Sequence, residues 1–175
     1  MKYVALLRGI NVVGRNMIKM EALRATFSAL GFENVQSYIN SGNLIFKTAK
    51  AADNKLAAKI HDAIVKDFGF DISVMVRSIA EIEEIIANNP FEGQFESHKD
   101  VHVFFLEREL TADQEKLLLK QANENEFIAV SGRSVYYMLR IRFPDSSLCK
   151  GFLERKFKIA NTARNWRTVK KLAEM

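Results

Sequence analysis

The chain has 175 residues, 48% apolar and 27% charged, which is enough to bury one core or two small ones and too apolar for a disordered chain. Two prolines and eight glycines exclude collagen, mucin and linker classes. Net charge is +5 and sits at one end, because residues 150–175 hold eight basic against two acidic side chains. In chain order, Tyr3 to Arg8 reads as a strand, too short in its apolar run for a signal-peptide core or a membrane span. A loop from Gly9 to Asn16 leads into a helix with Met20, Leu23, Phe27 and Leu30 on one face, stopped by Gly31. Val35 to Ile39 is the next strand, Asn40-Ser41-Gly42-Asn43 a hairpin turn, and Leu44 to Thr48 a third strand. A second helix, with Leu56, Ile60, Ile64 and Phe68 inward, ends at Gly69 before strand Ile72 to Arg77.

That order is βαββαβ, the ferredoxin-like motif. Alternation is read as placing Val4, Leu6, Leu44, Phe46, Ile72, Val74 and Val76 on one sheet face, with Tyr3, Ala5, Leu7, Tyr38, Ile45 and Met75 on the other. Both sets are apolar, so the helix-free face, with Tyr3, Leu7, Tyr38 and Met75, should be covered by the rest of the chain or by a second subunit. A capping box, Ser78 with Glu81, starts a short helix that ends at Asn88-Asn89-Pro90. Strand Val101 to Glu107, a helix capped by Thr111 with Gln114, strand Glu126 to Val130 and strand Val135 to Ile141 begin a second set. Leu148 to Phe157 and Ala163 to Ala173 then read as helices, with Thr162 as the cap of the last. The expected class is α+β, with two ferredoxin-like halves, the second incomplete and ending in a helix. Its parts are residues 1–78, a helix and connector over 79–100, and residues 101–175.

Leu7-Arg8-Gly9-Ile10-Asn11-Val12-Val13-Gly14-Arg15-Asn16, Tyr38-Ile39-Asn40-Ser41-Gly42-Asn43-Leu44-Ile45-Phe46 and Thr162-Ala163-Arg164-Asn165-Trp166-Arg167-Thr168-Val169-Lys170-Lys171-Leu172 resemble three hallmark segments of the domain of unknown function 1697 family. The resemblance runs along essentially the whole chain and implies a bacterial protein of two ferredoxin-like halves, with no established activity. Val13 departs from the family pattern, which usually has Gly there.

Gly9-x-x-x-x-Gly14 is a partial phosphate loop, without the Lys and Ser or Thr that nucleotide hydrolysis needs. Arg8, Asn11, Arg15 and Asn16 still offer donors to an anion. Asn40, Ser41 and Asn43 add short polar side chains, and Arg164 with Asn165 is expected on the first turn of the last helix, where backbone N–H groups favour an anion. The expectation is a cleft between the domains where these segments bind an anionic small molecule or nucleic acid without catalysis. The rival is an enzyme acting on a small phosphorylated or carboxylated substrate in the same cleft. The three segments hold no His, Asp, Glu or Cys, so a proton-transferring base is missing from them and no catalytic residue is assigned.

Other signals are weaker. Ser147-x-x-Lys150 matches an acyl-transfer spacing but reads as a helix cap, and His98, Asp100 and His102 lack a third well-placed metal ligand. Tyr3, Phe46, Phe104, Tyr136 and Tyr137 lie on strands where bases can stack, yet the RNA-recognition octamer is absent. Cys149, the only cysteine, reads as a small core residue and fits a reducing cytoplasm. No cofactor, metal or membrane association is expected, and a homo-oligomer is compatible with the apolar sheet faces.

Overall fold

β1 (Lys2–Leu7) is apolar after Lys2 because both of its faces are buried. It is followed by α1 (Met20–Ala29), β2 (Glu33–Tyr38), β3 (Asn43–Lys47), α2 (Asp53–Phe68) and β4 (Val74–Ser78). The four strands form an antiparallel sheet in the order β2-β3-β1-β4. This computed structural model describes residues 1–175 and divides into two units, Met1–Glu83 with Leu172–Met175, and Glu84–Lys171.

Both helices of the first unit end as their glycines dictate. Gly31 and Gly69 take left-handed φ values of 81° and 73°, which costs glycine nothing. After Gly31 the Phe32 N–H turns back to the Phe27 carbonyl at 3.3 Å. The Phe32 ring then stacks on Phe46 at 4.3 Å. Phe27, Leu23, Ile60 and Ile64 descend from the helices onto Tyr3, Leu7, Phe46 and Val76. Each such burial contributes on the order of 2 kcal/mol. The Thr26 hydroxyl donates to Asp67 at 2.6 Å and ties α1 to α2.

Register corrects the expected sheet faces. Tyr3 stands opposite Phe46, Ala5 opposite both Leu44 and Val76, and Leu7 opposite Val74, so all of these share the face under the helices. Val4, Leu6, Ile45, Met75 and Arg77 lie on the other side and are buried as well. Alternation within a strand is legible from sequence, but which alternate set of one strand joins which set of the next depends on a pairing register that sequence does not display.

The second unit begins within α3 (Ile79–Ala87), whose capping box is formed: the Ser78 N–H donates to Glu81 at 2.8 Å and the Glu81 N–H to the Ser78 hydroxyl at 3.2 Å. It continues through β5 (Val101–Leu106), α4 (Ala112–Leu119), β6 (Glu126–Ser131), β7 (Ser134–Leu139), a 3₁₀ turn at Phe143–Asp145, α5 (Phe152–Phe157), β8 (Asn161–Asn165) and α6 (Trp166–Glu174). The Thr111 and Gln114 box caps α4 as read.

The expected absence of a last strand is wrong. β8 pairs antiparallel with β5, completing a sheet of order β6-β7-β5-β8, and α6 starts only after it. Asn161-Thr162-Ala163-Arg164-Asn165 has no apolar alternation, so its strand identity comes from docking on β5 and not from its own pattern. Thr162 therefore caps nothing. Asn165 does, accepting the Thr168 N–H at 2.9 Å. The helix expected over Leu148–Phe157 is shortened to α5 by Gly151 at φ 81°. Ser146, not Ser147, accepts the local N–H, from Cys149 at 3.2 Å, and Cys149 is exposed instead of in the core.

Candidate functional site

The first loop of the chain is a small finger. Leaving β1, the Leu7 N–H donates to the Gly42 carbonyl at 2.8 Å and the Arg8 N–H to the Ser73 carbonyl at 3.0 Å. The chain then folds on itself: Asn11 N–H donates to Asn16 O at 3.2 Å and Arg15 N–H to Val12 O at 2.9 Å. Val13 and Gly14, between them, have φ values of 46° and 75°, the doubly left-handed pattern of a two-residue hairpin turn.

The polar residues expected to bind a ligand mostly hold this finger in place. Asn11 spends its amide on the Ile18 carbonyl (3.0 Å) and the Asn40 carbonyl (2.9 Å), and its oxygen on the Ile18 N–H (2.8 Å). Asn16 donates to the Gly9 carbonyl at 3.1 Å. Asn43 is fully buried and donates to the Tyr38 carbonyl and the Ser41 hydroxyl, both at 3.0 Å. Finger and hairpin thus meet through internal hydrogen bonds. Gly42 allows that meeting, because a Cβ there would stand 2.8 Å from Leu7 Cβ.

Charge lies beside the finger and apolar surface at its tip. Arg8 and Arg15 line a cavity of about 700 Å³ together with Gly9, Asn16, Asp71 and Ser73. Asp71 also accepts from the His61 imidazole at 2.8 Å, and the carboxylates of Asp71 and Asp62 raise the pKa of His61. The finger tip is apolar: Val13 is 95% exposed, with Val12 and Met17 also exposed.

Arg164 is not where the sequence placed it. It lies within β8 opposite Val103, 8% exposed, and donates to the Thr162 hydroxyl and the Ala163 carbonyl, both at 2.8 Å. Burial pulls its pKa down to about 10, which leaves it a cation at neutral pH, but one held within a strand and not at a helix start. Asn165 lines a cavity of the second unit, of about 1080 Å³, beside His102, Arg140 and Phe143. The strand aromatics Tyr3, Phe46, Phe104, Tyr136 and Tyr137 are buried, and the Tyr136 hydroxyl donates to the Ile85 carbonyl at 2.9 Å, so none offers a stacking platform. No group of three or more His, Cys, Asp or Glu side chains is placed to hold a metal ion.

The profile of the DUF1697 family, proteins of unknown function, matches residues 1–136. The chain belongs to that family. Among solved structures it is similar to the conserved bacterial protein SP0830 from Streptococcus pneumoniae, at 26% identity and a TM-score of 0.79, over 99% of this chain and 97% of that one. No curated protein matches it.

In this DUF1697 chain, sequence reasoning missed a carboxylate at the start of β6. Glu126 is buried and accepts from the Tyr137 hydroxyl (2.6 Å), the Ser147 N–H (3.0 Å) and the Asn123 amide (2.8 Å). Burial pushes its pKa up, and the three donors outweigh burial and hold it below the ordinary value. It braces the segment after β7 against the sheet. A Glu inside an otherwise apolar strand was the one signal that could have revealed it.

Proposed function

We propose that this chain is a non-catalytic binder of an anionic ligand or nucleic acid, and that the finger of the first unit is its contact element. The observation that carries this reading is Val13, a β-branched residue in a left-handed conformation and 95% exposed. Left-handed backbone strains a β-branched residue, and its exposed methyl groups stabilise nothing in the free protein. Such a residue has value in a contact outside the chain. Arg8 and Arg15 beside it suit a phosphate backbone, and an apolar tip flanked by arginine is a known device for wedging against bases. An enzyme on the same surface has less support, because Asp71 is the only His, Cys, Asp or Glu residue lining the cavity.

The element order and the strand order of both sheets support assigning each unit to the ferredoxin-like fold. A single cysteine, exposed at Cys149, supports a cytoplasmic setting.

The test is fluorescence anisotropy of a labelled 12-nucleotide single-stranded RNA against wild type, Arg15→Ala and Val13→Gly. Wild-type affinity should fall linearly with salt on logarithmic axes, and Arg15→Ala should reduce that slope by about 0.7. Val13→Gly should weaken binding without changing the slope. Salt-independent binding, or two variants that bind like wild type, refutes the reading.

A further inference from the structure

His102 stands near the start of β5, paired with Tyr137 on one side and Asn165 on the other. The next two side chains of the same row, Phe104 and Leu106, enter the apolar core of the second unit. An aliphatic residue would continue that row without a polar atom to satisfy. The imidazole that is present is 8% exposed, and its Nδ1 has no hydrogen-bond partner, although buried polar atoms almost always find one. Burial lowers its pKa to about 4, so the ring is neutral and has one nitrogen to donate and one to accept.

Because Nδ1 is out of contact with solvent, what His102 can show to the adjoining cavity is its other ring atoms. The His102 ring stacks on Phe143, with centroids 3.9 Å apart and planes 17° from parallel. Both line the cavity of about 1080 Å³, which also carries Phe95, Lys99, Arg140 and Arg142. Its acidic residues are Glu96 and Asp100, and Asp100 is turned back to accept the Ser97 N–H at 3.0 Å. Aromatic rings offer stacking, and guanidinium groups take carboxylate or phosphate oxygens in pairs.

We propose that this cavity binds a small molecule joining a planar ring to a phosphate or carboxylate, the ring lying by Phe143 and hydrogen-bonding His102, the anion meeting Arg140 and Arg142. Its lining shares no residue with that of the finger cavity, so either assignment stands or falls without the other. Two kinds of ring-bearing anion carry this chemistry, a nucleoside monophosphate and an aromatic carboxylate.

The experiment titrates the full-length protein with AMP, 4-hydroxybenzoate, inorganic phosphate and acetate. Calorimetry reads affinity, and the ring ¹⁵N resonances of His102 read contact at the site. The expected result is binding of AMP or of 4-hydroxybenzoate with movement of the His102 nitrogens, and at least tenfold weaker binding of phosphate and acetate. His102→Leu keeps the apolar packing and removes the nitrogens. It should weaken the ring-bearing probe at least tenfold while leaving the unliganded melting temperature equal or higher, and Arg142→Ala should weaken the same probe. The proposal is overturned if neither ring-bearing probe moves the His102 nitrogens, if ring-free anions bind as well, or if His102→Leu binds like wild type. A His102→Leu protein that melts lower makes the imidazole a structural group and also overturns it.

Discussion

Val13→Gly is the substitution in which stability and binding should move in opposite directions. An L-residue in the left-handed region carries a penalty of roughly 1–2 kcal/mol, and β-branching places Val13 at φ 46° among the costly cases. Glycine removes that penalty but loses about 0.5–1 kcal/mol through the greater freedom of the unfolded chain. Nothing else is forfeited, because a side chain 95% exposed has no packing to lose. The net expectation is a gain of about 0.5–1 kcal/mol, which for a chain of this size raises the melting temperature by roughly 1–4 °C. Circular dichroism melts of wild type and variant, run without ligand, measure it. A melting temperature that is unchanged or lower means that the finger is not strained at Val13 or that its methyl groups pack on something, and the reasoning fails.

Gly42→Ala should destabilise by more than about 1 kcal/mol in chemical denaturation, since a Cβ at φ 81° meets Leu7 Cβ at 2.8 Å. A neutral result would show that finger and hairpin are not in close contact. Glu126→Gln should cost about 1–3 kcal/mol, because an amide cannot accept from all three donors as a carboxylate does. Its pH dependence has a definite sign: the folded pKa is depressed, so the stabilisation is present above the ordinary value of 4.5 and is lost as pH falls through the folded value. The wild-type advantage in urea melts should therefore shrink below that pH, and an advantage that persists contradicts the brace. Trp166→Ala should lower stability by roughly 3–5 kcal/mol, as expected for emptying the space of an indole that is 1% exposed. A loss below about 1 kcal/mol would mean that the site collapses around the smaller side chain.

The elements that the sequence displays are those whose physics is local. Gly31 and Gly69 end their helices where a positive φ is needed, and the Ser78–Glu81 and Thr111–Gln114 boxes start theirs through hydrogen bonds spanning three residues. Two of the three segments that carry the family resemblance, the first loop and the hairpin, touch through Asn11 and Asn40. Whatever depended on distant partners stayed hidden. β8 has no pattern of its own and exists because β5 offers an unpaired edge, so Arg164 was placed on a helix that starts two residues later. The same dependence explains the misassigned faces of β1, where one register choice moves every side chain across the sheet.

Polar residues at a suspected site therefore divide by a test that sequence cannot run, namely how much of each side chain's hydrogen-bonding capacity is already spent. Asn11 has committed both amide hydrogens and its oxygen, and Asn43 both of its hydrogens, so substituting either would act on the finger's position before it acted on any ligand. Arg15 is exposed at the end of a tight turn, and His102 is buried with an unpaired nitrogen. These two are opposite departures from a satisfied structure. The exposed cation costs little to keep and steers anions from a distance, whereas the buried imidazole carries the cost of an unpaired nitrogen. A ligand that reaches His102 should accordingly raise the melting temperature by an amount that grows with the logarithm of its free concentration, while a polyanion on the finger should show the steeper salt dependence, because it neutralises more charges.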